Sequence, residues 1–61
     1  MKPQQAGSLM LYRYRSPRTH RWAMLNARER AAALSEARRC DPRVKPEDLE
    51  FWDGARYVPA Y

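Results

Sequence analysis

From Leu9 to Arg15 the chain reads Leu-Met-Leu-Tyr-Arg-Tyr-Arg, so Met10, Tyr12 and Tyr14 share one side and Leu11, Arg13 and Arg15 the other. Alternation of period two marks a strand with one covered face. Ser16-Pro17-Arg18-Thr19 is turn chemistry, because proline presets a backbone angle and withholds an amide, and Arg21-Trp22-Ala23-Met24-Leu25 then returns as a second strand. Residues 9–25 therefore predict a hairpin. Asn26 stands three residues before Glu29, the spacing of a reciprocal helix cap. The alanine-rich run that follows holds no glycine or proline, repeats Ala27, Ala31 and Leu34 on one side, and ends with Arg38 and Arg39 before Asp41-Pro42. It predicts a helix over 26–40.

That helical stripe is narrow, so its partners must supply the bulk, and the tyrosines and Trp22 are the available donors. After the proline-punctuated stretch Pro42–Pro46, Leu49-Glu50-Phe51-Trp52 and Ala55-Arg56-Tyr57-Val58 flank Asp53-Gly54, a dipeptide suited to a tight turn. A second hairpin is expected over 49–58, closed by Pro59, with one helical turn at Glu47-Asp48 as an alternative opening. Residues 1–8 have no periodicity and are expected to form a tail ahead of a single domain over 9–61. The fold class is α+β, a small antiparallel sheet in the order β-β-α-β-β packed on one amphipathic helix.

With a four-residue loop over Ser16–Thr19, Arg15 faces His20 and Arg13 faces Trp22, while Tyr14 and Tyr12 face Arg21 and Ala23 on the other side. The tyrosine side would cover the helix. The side carrying Arg13, Arg15, His20 and Trp22 would be free to meet a partner.

Sixty-one residues leave room for one domain with a marginal core, which oligomerisation or a partner would reinforce. The net charge of +5 is uneven along the chain. Arg13, Arg15, Arg18 and Arg21 occur without an acid in 13–25, whereas Asp41, Glu47, Asp48, Glu50 and Asp53 outnumber the cations after residue 40. Such a local excess suits a polyanion or an acidic protein surface. No stretch matches a membrane span or a signal peptide, so a cytoplasmic protein is expected.

An enzyme is not expected. His20 lies in a turn among arginines with no carboxylate or nucleophile beside it, and Cys40 follows the helix C-terminus, the end that disfavours a thiolate. One cysteine and one histidine make neither an internal disulfide nor a zinc set, and no glycine-rich loop cradles a phosphate. No cofactor or metal is called for.

The row Tyr12-Arg-Tyr-Arg-Ser-Pro-Arg-Thr-His-Arg-Trp-Ala-Met-Leu25, followed by the alanine-rich run to Arg39, resembles the N-terminal arm-type DNA-binding domain of phage tyrosine recombinases. The match spans about residues 10–39. In that family His20 and Met24 are usually replaced by glycine, and the Asp53-Gly54 hairpin has no counterpart. The resemblance implies a sheet face laid in the major groove, with Arg13, Arg15, Arg18, Arg21 and Trp22 as contacts. Arginine reads guanine or holds phosphate, and an aromatic ring packs on sugar or a thymine methyl.

The leading expectation is thus a phage-encoded protein that binds duplex DNA through Arg13, Arg15, Arg18, His20, Arg21 and Trp22, in the host cytoplasm. The alternative is a compact inhibitor that binds a host enzyme or defence complex, with Trp52, Arg56 and Tyr61 as anchors and Phe51 and Tyr57 kept for the core. A third reading stacks unpaired bases on the exposed aromatics. Self-association is compatible with all three.

Overall fold

The computed structural model describes residues 9–61. The tail expected over 1–8 lies outside the described residues. Within them, strands β1 (Met10–Arg15) and β2 (Trp22–Ala27) precede helix α1 (Arg30–Cys40). A single 3-10 turn, Pro46–Asp48, then leads into strands β3 (Leu49–Trp52) and β4 (Tyr57–Pro59). The four strands form one antiparallel sheet in the order β2-β1-β3-β4, with β1 and β3 inside.

Alternation along β1 sorts the side chains as its sequence implies. Tyr12 lies opposite Leu25 on one flank and Phe51 on the other, and Tyr14 opposite Ala23 and Leu49. Directly opposed residues share a face. These side chains turn toward the helix, where Ala33, Leu34 and Ala37 are buried against them. Burial raises the pKa of both tyrosines above the ordinary value of 10.0. Leu49 and Val44 are the bulkiest side chains with almost no exposure.

The structure departs from the sequence reading at both connections of the first half. The loop between β1 and β2 is Ser16–Arg21, because Arg15 pairs with Trp22 rather than with His20, and Arg13 with Met24 rather than with Trp22. The register slips by two residues, an even number, so the faces keep their identities. The longer loop is built on Ser16, whose amide donates to the Arg21 carbonyl (2.9 Å) and whose Oγ accepts from the amides of Arg18 and Thr19. His20 closes it at φ 64, in the left-handed region that glycine occupies without penalty.

Helix α1 starts at Arg30, not after Asn26, and its extended N-cap residue Glu29 makes no side-chain cap bond. Asn26 and Ala27 belong instead to β2, paired with Leu11 and Met10. The ladder to β1 outweighs the local capping preference. At the other end Asp41 caps the helix through its own amide, which donates to the Ala37 carbonyl (2.9 Å). Its carboxylate accepts from Ser16 Oγ at 2.7 Å and from the Arg43 amide at 3.3 Å. This contact ties the hairpin loop to the helix end.

In the second hairpin the Asp53 amide donates to the Arg56 carbonyl, which moves the tight turn to Gly54-Ala55, with Gly54 at φ 106. Trp52 consequently pairs with Tyr57. Asp53 Oδ1 accepts from the amides of Ala55 and Arg56 and pins the turn from within. Pro59 is the last residue of β4, paired with Glu50 on an edge strand, where its missing amide costs no ladder bond. Phe51 is half-buried against the core as expected, but Tyr57 lies on the opposite face from the helix.

Two predictions follow from this packing. Leu49→Ala empties the most enclosed aliphatic position and should lower stability by about 2–5 kcal/mol in urea denaturation, a large share of what a domain this small possesses. A loss below about 1 kcal/mol would show that the sheet–helix interface is not the main core. Second, the hydrogen bond from Ser16 holds the Asp41 carboxyl below its ordinary pKa, and the amides of Arg56 and Ala55 do the same for Asp53. The folded chain then binds fewer protons than the unfolded chain near pH 4. Stability should be complete above the ordinary carboxylate value of 3.8 and fall as pH drops through it toward the folded values. Urea midpoints at pH 7, 4 and 3 should decline, and Asp41→Asn should flatten the decline.

Candidate functional site

The sheet face turned away from the helix carries Trp22, Met24 and Asn26 from β2, Leu11, Arg13 and Arg15 from β1, Glu50 and Trp52 from β3, and Tyr57 and Pro59 from β4. At its centre Arg13 lies opposite Met24 on one flank and Glu50 on the other. Its Nε donates to Glu50 Oε1 at 2.8 Å, and its Nη2 stands 2.7 Å from the same oxygen. The guanidinium carbon sits 4.0 Å from the centre of the Trp22 ring and 4.2 Å from that of Tyr57.

Arg13 therefore lies against two aromatic rings, one from β2 and one from β4, and is paired with a carboxylate. Each cation–π contact is worth about 0.5–1 kcal/mol at sites with this degree of access, and the ion pair a comparable amount. Trp52 extends the cluster by meeting Tyr57 edge-on, with ring centroids 5.2 Å apart, and the Tyr57 hydroxyl donates to Met24 Sδ at 3.5 Å. One connected group of side chains thus spans all four strands.

The cluster is held but not covered. Leu11, Trp22, Met24 and Trp52 are 44%, 42%, 64% and 40% exposed, an unusual concentration of large apolar surface on so small a sheet. Its central charge is cancelled, and Arg15 at one end is the remaining cation of the face.

The residues assigned from the sequence to nucleic-acid contact do not form one constellation. Arg13, Arg15 and Trp22 lie on the outer face, but Arg13 is already committed. Arg18, His20 and Arg21 belong to the loop beyond the strand ends and are exposed. Arg18 lines an open depression of about 610 Å³ with Pro17, Cys40, Asp41, Pro42 and Arg43 at the helix C-terminus, away from the sheet face. Arg15, Arg18 and Arg21 form no ion pair among the described residues.

The alternative anchors also separate. Trp52 joins the outer cluster, Arg56 sits in the Gly54-Ala55 turn, and Tyr61 lies on the helix side, its ring 4.5 Å beneath the Arg30 guanidinium. Tyr57, expected in the core, and Glu50, which no pattern along the chain singles out, complete the outer face. Glu50 comes beside Arg13 only through the β1–β3 pairing, and Tyr57 joins them only through the β3–β4 pairing. No metal-binding group of side chains occurs among the described residues, and no described helix is long and apolar enough to cross a membrane.

A double-mutant cycle between Arg13→Ala and Trp22→Ala, read by urea denaturation, should give a coupling of about 0.5–1 kcal/mol. Additive effects would mean that the stack contributes nothing to the fold. No protein-family model, no curated protein and no solved structure matches the chain significantly.

Proposed function

We propose that this protein is a binding module for another protein, which it engages through the outer face of its sheet. The observation that carries the reading is the capture of Arg13. A guanidinium paired with Glu50 and set against the Trp22 and Tyr57 rings would have to give up that pairing to serve a phosphate. What the face offers instead is tryptophan, tyrosine and methionine around a held centre, residue types enriched where proteins meet, and tryptophan and tyrosine are prominent among those that dominate the binding energy. The rings are positioned before binding, so less side-chain freedom is lost on contact. Arg15, Arg18 and Arg21 toward one end suit a partner whose apolar patch has an acidic rim. Covering a working surface of such a partner, as an inhibitor does, is within reach of so small a chain.

A second reading keeps duplex DNA as the ligand and moves its contacts to the hairpin loop. Arg15, Arg18 and Arg21 are without ion-pair partners among the described residues. His20 also holds a glycine-like φ at a position where the recombinase arm-type domains usually have glycine. On this reading the loop, with Arg15, Arg18, His20 and Arg21, grips phosphates and Arg13 is structural.

Affinity capture from the lysate of the protein's source, with wild type, Trp22→Ala/Trp52→Ala and Arg18→Ala/Arg21→Ala as baits, separates the two. The first reading expects one protein retained by wild type in about 0.5 M salt and after nuclease treatment, and lost from the tryptophan variant. Retention that disappears with nuclease, together with a salt-steep duplex shift abolished by Arg18→Ala/Arg21→Ala but indifferent to the tryptophans, would replace it with the second.

A further inference from the structure

The two edges of the sheet are built differently. Edge β4 is three residues long and contains Pro59, features that discourage pairing with another chain. Edge β2 is twice that length, and its sequence Trp-Ala-Met-Leu-Asn-Ala contains no proline and no charge. An open edge of this kind is a template for a further strand. The Ser16 amide bonded to the Arg21 carbonyl sets the phase of the β1–β2 ladder. Residues 21, 23, 25 and 27 direct their backbone groups to β1, and Trp22, Met24 and Asn26 direct theirs outward.

We propose that a second copy of this chain occupies that edge, β2 pairing antiparallel with β2 about a two-fold axis at Met24. This register satisfies every outward backbone group at once: Trp22 of each copy pairs with Asn26 of the other, and Met24 with itself. It also keeps the faces in phase, since Ala23 meets Leu25 of the second copy on the helix side, where both are only half-buried in the single chain. No like charges oppose one another within the paired segment, and Arg21 comes diagonally beside Glu29 of the second copy. The result is a continuous eight-stranded sheet in which the two Met24 meet at the centre of one doubled outer face, with a Trp22 on either side along the seam. Nothing in this pairing depends on what that face binds.

The test uses the full chain. Sedimentation or light scattering from 1 to 100 µM should give twice the chain mass, and hydrogen exchange should find the amides of Trp22, Met24 and Asn26 protected like those of the internal ladders. Met24→Pro removes an outward amide that β1 does not use and should yield a monomer with unchanged circular dichroism. Should that variant misfold, Met24→Glu, whose carboxylate lies opposite Arg13 within its own chain but against its twin across the axis, should weaken dimerisation at least tenfold. In a Cys40→Ser background, Met24→Cys should oxidise to a covalent dimer and Arg15→Cys, on the internal strand, should not. A monomeric wild type at 100 µM, unprotected β2 amides, or a dimer indifferent to Met24→Pro and Met24→Glu each overturns the proposal. Trp52→Ala, remote from this edge, should leave the dimer intact even if it abolishes partner binding.

Discussion

The pleat of β1 is the constraint on which the molecule turns. This strand is flanked on both sides, and Tyr12, Arg13 and Tyr14 each face a neighbour on both flanks. Tyr12 and Tyr14 must face inward, because a helix whose buried positions are Ala33, Leu34 and Ala37 brings too little bulk to close a core. Their rings fill the space that larger helical side chains occupy elsewhere, and the small helical residues let the layers approach closely. Once the tyrosines are inside, Arg13 and Arg15 have no choice but the outer face.

That outward placement does not make the outer face cationic. Arg13 becomes the keystone of an aromatic cluster, Arg30 donates to the Ala60 carbonyl at 2.9 Å while covering Tyr61, and Arg38 donates to the Val44 carbonyl at 2.9 Å. Each of these guanidinium groups fastens a segment that has little regular structure or little core of its own. Arginine suits this work because its planar fork stacks and donates at the same time. The chain's positive balance is partly a record of these internal uses, and of the described arginines without an ion pair, Arg15, Arg18 and Arg21 lie in or beside the Ser16–Arg21 loop.

The same economy shapes the two ends of the sheet. Ser16 organises the loop with its amide and hydroxyl and hands the helix terminus its Asp41 contact, so the basic loop is carried on a braced support rather than on a free hairpin. The second hairpin supplies Glu50, Trp52 and Tyr57 to a surface that the first hairpin alone would leave as a bare arginine and tryptophan pair. An apolar face with a neutralised centre and an uncharged neighbouring edge lie side by side on this side of the molecule, and the proposed contacts with protein rest on that pairing.

Local patterning was enough to establish two hairpins around one helix, the inward tyrosines and the division of β1 into two faces, because each depends on alternation or periodicity within a few residues. It misjudged the connections. The Asn26–Glu29 cap lost to the β1–β2 ladder, the turns fell later than their proline and glycine signals, and Tyr57 moved from the core to the outer face. These outcomes depend on which strand lies beside which and in what register, and long-range pairing energy overrides a local preference worth a fraction of it. The capture of Arg13 belongs to the same class, since Glu50 and Tyr57 are thirty-seven and forty-four residues away along the chain and become its neighbours only when β3 and β4 join the sheet.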